Sequence, residues 1–307
     1  MQTEYYSDKT RLSSSGIKHL LKSPRHYQLY LLNGIETTDA MNHGQFIHTA
    51  TMEESEIHNR FRLLADPRLE PNKDGKIEFR SALNKSIRDE FINQCELDGV
   101  TPIIKKDDWY EIIATAGSVK QSPIYKQLFQ DAEVEKEFHW IDPQYNIPMK
   151  GKVDLFKTLQ GFAVIGDLKK LPDIDIESVK GYVKHKDRLI HCQLAIYSEA
   201  IQEVLGLETK FHIVIGCNKE SQQNGFFLVP QEPTDGTSVW QDYSISAGKT
   251  IYTRAKQIYR DCLDRFGNPW EVYTIEFENP KDNIVYPKNP WPGVEYFASN
   301  EYGLIEL

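Results

Sequence analysis

A chain of 307 residues that is 40% hydrophobic and 11% aromatic carries enough apolar material for one large domain or two small ones. Its net charge of −9 argues against a protein that coats nucleic acid through bulk positive charge, but leaves room for a local basic stripe on an acidic body. Cys95, Cys192, Cys217 and Cys262 are scattered with no Cys-x-x-Cys pair; with no amino-terminal signal peptide and no apolar run near the roughly 18 residues of a membrane span, this argues against zinc, iron–sulfur and membrane classes and for a cytoplasmic protein with reduced thiols.

Leu12-Ser13-Ser14-Ser15-Gly16 ahead of Ile17, Leu20 and Leu21 predicts a hydroxyl-capped helix. Ser23-Pro24 stops it, and Pro24 opens a second with Tyr27, Leu31 and Leu32 as its apolar side. Residues 41–54 read as a third helix, residues 66–80 as a polar loop. Residues 81–98 and 106–129 read as helical, with Thr101-Pro102 between them. From about residue 133 the pattern changes. Alternation over residues 133–141 predicts a strand, and residues 149–156 and 162–169 predict two more, joined by a hairpin connection over residues 158–161. Residues 162–166 are almost wholly apolar and read as a strand buried on both faces. Residues 171–189 are charged and irregular, and read as a loop over the site. A helix over residues 190–205 is closed by Gly206. Strands follow at 211–217 and 225–229, then a long amphipathic helix at 245–266 and a last strand at 272–277. The Pro- and aromatic-rich tail over residues 279–307 is expected to be extended and packed on something. The expectation is one domain over residues 1–307 of α/β (α+β) class: a mostly helical part over 1–130, then a mixed central sheet flanked by helices over 131–278.

Asp154 closes one hairpin strand, and Asp167-Leu168-Lys169 closes the other. Side chains two apart in a strand share a face, so Asp167 and Lys169 point the same way, and Asp154 can lie beside them across the hairpin. Asp-x-Lys pairs usually form exposed ion pairs of little consequence. At the end of a buried strand such charges are costly without compensation, which a divalent cation and a substrate phosphate would provide. The following helix carries Gln193 and Tyr197 at i and i+4, on one face. Upstream, Gly44-Gln45-Phe46-Ile47-His48 places an imidazole on a helix of small and apolar residues, in competition with the other histidines. Glu135 and Glu137 share a strand face before the hairpin, and either can add a third carboxylate.

The order Gly-x-x-x-His, Glu, Gly-Lys-Val-Asp, Asp-x-Lys, Gln-x-x-x-Tyr resembles the PD-(D/E)xK nuclease superfamily. It looks more narrowly like the RecE-type exodeoxyribonuclease of phages and prophages, a relative of lambda exonuclease and of the RecB and AddB nuclease domains. Leu12-Ser13-Ser14-Ser15-Gly16-Ile17, Ser23-Pro24-Arg25-His26-Tyr27 and Phe138-His139-Trp140-Ile141-Asp142-Pro143 are similar to further motifs of that family, so the resemblance spans about residues 10–270. Two departures stand out: Val153 replaces the usual Pro before the first catalytic Asp, and the cysteine pattern of the iron–sulfur branch is absent. The resemblance implies a restriction-endonuclease-like core. Asp154, Asp167 and the Leu168 carbonyl would bind Mg2+, with Mn2+ as a substitute and one or two ions per site. His48 would bind or flank a second ion, and Glu135 suits the upstream acidic position better than Glu137. Lys169 would orient and help deprotonate the attacking water, and Gln193 and Tyr197 would support the lysine, the water or the DNA backbone. Arg25, Lys18, Lys150 and Lys152 are candidates for the DNA backbone or a 5′-phosphate, as is the basic cluster Lys180, Lys184, His185, Lys186 and Arg188.

The implied activity is 5′→3′ degradation of one strand of linear duplex DNA, leaving 3′ single-stranded overhangs for recombination. The implied partners are DNA ends, a single-strand annealing protein and further copies of the chain in a ring, in the cytoplasm of a bacterium carrying the phage or prophage. A structure-specific or restriction-type endonuclease, and a non-catalytic DNA-end-binding protein on a nuclease fold, are the alternatives.

Overall fold

The computed structural model describes residues 4–34, 38–184, 189–218, 222–233 and 243–266. Four helices come first: α1 (Glu4–Ser7), α2 (Ser14–Lys22), α3 (Pro24–Asn33) and α4 (Asp39–Met52). The Ser13 hydroxyl caps α2 by accepting from the Gly16 amide, and Ser23 caps α3 by accepting from the His26 amide with Pro24 in the first turn. Next are α5 (Ile57–Arg60), β1 (Phe61–Leu63), α6 (Ala82–Asp98), β2 (Thr101–Ile103), α7 (Lys106–Gln121) and α8 (Pro123–Phe129). The parallel pair β1–β2 was not expected; three-residue strands are too short to show alternation. The single helix expected over 106–129 is broken at Ser122. Pro123 disfavours the α conformation at the residue before it, and Ser122 has ψ 133°.

The main sheet follows, with β3 (Glu133–Asp142), β4 (Ile147–Leu159), β5 (Phe162–Lys170), α9 (Ile176–Lys184), α10 (Ile190–Leu205), β6 (Thr209–Cys217), β7 (Asn224–Leu228) and α11 (Ile245–Phe266). Its five strands lie in sequence order; β5 and β6 are parallel and the other neighbours antiparallel. The β4–β5 connection is tighter than expected. Leu159 pairs with Phe162, so the turn is only Gln160-Gly161, with φ 49° and 84°. Positive φ at both central residues matches the right-handed strand twist. Residues 171–189, expected to be irregular, contain α9. The Asp175 carboxylate caps it by accepting from the Glu177 and Ser178 amides, and Val179, Tyr182 and Val183 form its apolar stripe. The side chains of Lys180 and Lys184, together with His185, Lys186, Arg188, the strand expected at 272–277 and the tail, lie outside the described residues.

Each sheet face carries its own core. Leu12, Ile17 and Leu20 with Leu194, Ile201, Tyr252 and Ile258 pack on one face; Phe46, Ile47, Ile112, Ala116, Val119 and Phe129 pack on the other. The strand β5 alternates cleanly between them, with Ala163 and Ile165 facing the α10 layer and Val164 and Leu168 the α4–α7 layer. Asp167 and Lys169 therefore project toward α10. In β4 the alternation reverses: Val153 lies in the α10 layer but Leu155, two residues on, lies in the other. The neighbouring strand does the same between Val134 and Phe138, around Glu135, whose φ is 53°.

Helix α11 buttresses α10 through Gly248. A Cβ built there would sit 2.4 Å from the His191 carbonyl oxygen and 2.7 Å from the Cys192 nitrogen, both backbone atoms that cannot swing aside. Gly248→Ala is expected to destabilise the fold by about 1–3 kcal/mol or more and to displace the start of α10, measured by urea unfolding. An unchanged midpoint would show that the helices part without loss.

Two buried histidines contribute to the acid sensitivity of the fold. His191 has a buried Nδ1 with no hydrogen-bond partner among the described residues, and His212 meets Ser198 Oγ through Nε2 at 2.5 Å. Burial pulls both down from 6.5 to about 4. Both stay neutral in the fold while the unfolded chain takes up protons below about 6.5. The contribution of these two histidines is therefore complete above that pH and falls by about 1.4 kcal/mol per pH unit per histidine on the way to 4. Urea unfolding at pH 7 and pH 5 reads this loss; equal stabilities at the two values would contradict it.

Candidate active site

Three carboxylates stand in one row across three neighbouring strands. Val134 pairs with Leu155 and Lys136 with Val153, so Glu135 and Asp154 face each other at the skipped position between them. The β4–β5 pairing ends at Leu155 and Gly166, so Asp154 and Asp167 occupy the next position, where those strands part. There the Asp154 carboxylate replaces a backbone acceptor: Oδ2 accepts from the Leu168 amide at 2.9 Å. The positive φ of Glu135 costs a residue with a Cβ about 1–2 kcal/mol. Strain of this kind persists where its surroundings fix it, and here it coincides with the face reversal of β3.

Helix α4 brings His48 down onto this row. Its Nε2 lies 3.0 Å from Glu135 Oε1 and 3.4 Å from Asp154 Oδ1. The ligand atoms of His48, Glu135 and Asp154 all fall within 4.8 Å of one another. Phe46, Ile47 and Ala50 bury the remaining face of α4, which holds the imidazole in place. Lys152 pairs with Glu135 Oε2, and Glu137 stands off at 4.0 Å from the same ammonium, so it is Glu135 that joins the cluster. On the α10 side Asp167 is fully buried. Its Oδ1 accepts from Lys169 Nζ at 2.7 Å and from Gln193 Nε2 at 3.0 Å, while its Oδ2 is buried with no hydrogen-bond partner among the described residues. Gln193 Nε2 also meets the Tyr197 hydroxyl at 2.8 Å, and its Oε1 accepts from Lys18 Nζ at 3.4 Å.

The ionisation states follow from this packing. Burial works against the charge of His48, but Asp154 and Glu135 outweigh it and raise the imidazole to about 10. Burial likewise opposes ionisation of Asp154, yet His48, Lys169 and the Leu168 amide pull it down to about 2. Glu135 is lowered too, because His48 and Lys152 outweigh its desolvation. For Asp167 burial wins, and Asp154 adds to it; Lys169 and Lys18 only partly offset the upward shift. Burial favours neutral Lys169, but Asp167 and Asp154 override it and hold an ammonium well above the ordinary lysine range.

The donor set fits a hard divalent cation. His48, Glu135 and Asp154 offer carboxylate oxygens and one imidazole, and Asp167 Oδ2, outside that group, is a buried acceptor with no hydrogen-bond partner among the described residues. Such an orphan is costly in a folded chain unless a ligand compensates it.

The remaining sequence candidates divide. Leu168, expected to offer its carbonyl, meets Asp154 through its amide. Lys150 departs from the expected phosphate contact: its ammonium is buried, donating to the Tyr5 and Asp8 carbonyls and covering the Tyr5 ring at 4.6 Å. That clamp anchors α1 and engages two of the three donors of the ammonium. Lys152 is engaged by Glu135, and Arg25 donates to Gln28 Oε1 at 2.6 Å on α3. Lys18, expected at a substrate phosphate, donates to Gln193 Oε1. The sequence reading missed α1, whose exposed Tyr6 ring lies 5.2 Å from the Lys152 ammonium beside the cluster; the adjacent Tyr5-Tyr6 pair was its only local signal.

Among the described residues no helix is long and apolar enough to cross a membrane. None of the curated proteins matches this chain. A solved structure titled "Crystal structure of SSO0001" is similar at 13% identity, covering 68% of this chain and 85% of that one, with a TM-score of 0.26; at that score the likeness carries no argument. A family model described as "PDDEXK-like domain of unknown function (DUF3799)" matches residues 13–229. PDDEXK nucleases generally use divalent metal ions, in keeping with the donor set described above. The matched span takes in most of the chain, from the Ser13 cap of α2 through His48, the carboxylate row, Lys169, Gln193 and Tyr197, and the chain belongs to this family of PDDEXK-like domains.

Proposed function

We propose that this protein is a metal-dependent deoxyribonuclease that degrades one strand of linear duplex DNA from its 5′ end. The observation that carries the nuclease reading is the convergence of His48, Glu135 and Asp154 beside the buried Asp167–Lys169 pair, with one Asp167 oxygen unsatisfied. Hydrolysis of a phosphodiester bonds a water oxygen to phosphorus, breaks one ester bond and builds negative charge on the phosphoryl oxygens. A bound divalent cation, Mg2+ or Mn2+, supplies Lewis acidity and lowers the pKa of a coordinated water. Asp154 and Asp167, with His48 and Glu135, would hold it. Lys169, held toward its ammonium form by its carboxylates, donates hydrogen bonds to the phosphoryl oxygens or the attacking water, which orients the water and stabilises developing charge. Gln193 and Lys169 fix one oxygen of Asp167 and leave the other to the site.

The exonuclease polarity, the action in recombination beside a single-strand annealing protein, the ring assembly and the setting in a phage- or prophage-carrying bacterial cytoplasm rest on the resemblance of the motifs to RecE-type enzymes. Digestion of linear duplex bearing a 5′-phosphate or 5′-hydroxyl, with Mg2+ and with chelator, tests the reading. Mg2+-dependent loss of the 5′-ended strands, with closed circular duplex left intact, is the expected result. Nicking of the circle would replace the exonuclease by an endonuclease, and no cleavage of any DNA with retained binding to ends would overturn the enzymatic reading.

A further inference from the structure

Gln193 is nearly buried, and every polar atom of its side chain is occupied. The NH2 group donates to Asp167 Oδ1 at 3.0 Å and meets the Tyr197 hydroxyl at 2.8 Å, while the carbonyl accepts from Lys18 Nζ at 3.4 Å. Flipping this amide would press its oxygen against the Asp167 carboxylate and its NH2 against the Lys18 ammonium, so the two charges select one orientation between them. Lys18 is itself held in place. The Leu12 amide donates to the Pro148 carbonyl at 2.9 Å and the Leu12 carbonyl accepts from the Lys150 amide at 3.0 Å, which stitches the start of α2 to β4. Ile17, Leu20 and Leu21 bury the other side of α2 in the α10 layer, leaving Lys18 on the flank that meets Gln193.

We infer that Lys18 is a positioning residue of the hydrolytic site: it locks the Gln193 amide so that the amide holds one oxygen of Asp167 and aims the other at the metal position. The inference rests on the nuclease reading for the role of Asp167, but its geometry makes no use of DNA. Groups that orient a metal ligand are worth about 10- to 100-fold in metal affinity or activity, and that is the size expected here.

The test is a double-mutant cycle of Lys18→Met and Gln193→Ala, with Lys18→Arg as the conservative variant. Two quantities are measured: kcat and KM on linear duplex, and Mn2+ affinity by calorimetry without DNA. Lys18→Met is expected to lower kcat and weaken Mn2+ binding by about tenfold or more. Lys18→Arg is expected to recover most of both, and the double variant to match Gln193→Ala within about twofold. Losses that multiply in the double variant, or a rise in KM for DNA with Mn2+ binding unchanged, would overturn the inference and make Lys18 a direct phosphate contact. If the wild type binds Mn2+ but cuts no DNA, the nuclease reading fails, and the calorimetric cycle alone decides the role of Lys18.

Discussion

Asp154→Asn and Lys169→Met are each expected to lower the initial rate of duplex degradation by about a thousandfold and to leave the melting temperature within a few degrees of the wild type. The first removes a charge that binds His48 through Oδ1 and the Leu168 amide through Oδ2, at the centre of the carboxylate row. The second removes the ammonium that sits 2.7 Å from Asp167 and stabilises charge as it develops on the phosphoryl group. A single preorganised donor at a reacting centre is worth about a hundred- to a thousandfold in rate. The fold tolerates both changes for identifiable reasons. His48 keeps Glu135 as a partner in the Asn variant, and Asp167, already pushed up by burial, accepts a proton in the Met variant and keeps Gln193. Rates on labelled linear duplex with Mg2+, paired with calorimetric melting, give both numbers. Wild-type rates in either variant would remove that residue from the chemistry.

Lys256→Met is expected to lower stability by about 3–5 kcal/mol, through a network remote from the chemistry. The Lys256 ammonium is almost fully buried on α11. It pairs with Asp142 on β3 and with Glu199 Oε2 on α10 at 3.0 Å. The Tyr252 hydroxyl and Trp140 Nε1 complete Glu199, and the Tyr145 amide completes Asp142. Removing the cation strands two carboxylates against each other in a low-dielectric region with no opposite charge between them. Removing all three charges together, as Lys256→Met/Asp142→Asn/Glu199→Gln, is expected to recover much of the loss, because the desolvation of the ions disappears with them. Guanidinium unfolding shows the single variant as a shifted midpoint at unchanged slope. A single variant as stable as the wild type would mean that the network contributes nothing net.

The sheet was legible wherever one local pattern decided it. Phe162–Gly166 is apolar without interruption, and β5 is buried on both faces. Ser13 and Ser23 announce the starts of α2 and α3 because a cap is a local hydrogen bond. What was hidden depends on partners distant in sequence or on backbone that breaks the pattern. The face reversal at Glu135 and Asp154 cannot be read from alternation, since it is the failure of alternation. Asp142 and Lys256 are joined across the fold with no signal in either neighbourhood. Lys18 was legible as a cation on an early helix, but its partner Gln193 lies 175 residues on. Lys150 looked like an available cation and proved to be a buried clamp, because sequence shows a charge and not what surrounds it.

Crystals grown with Mn2+ and measured at its absorption edge test the central claim most directly, since the anomalous signal locates the ion without reference to activity. Density bounded by Asp154 and by the otherwise unpartnered oxygen of Asp167, within reach of His48, is the predicted result, and it vanishes in Asp154→Asn. Full Mn2+ occupancy elsewhere with that position dry, or the three carboxylates closed on one another around Lys152 and Lys169 at saturating Mn2+, would contradict it.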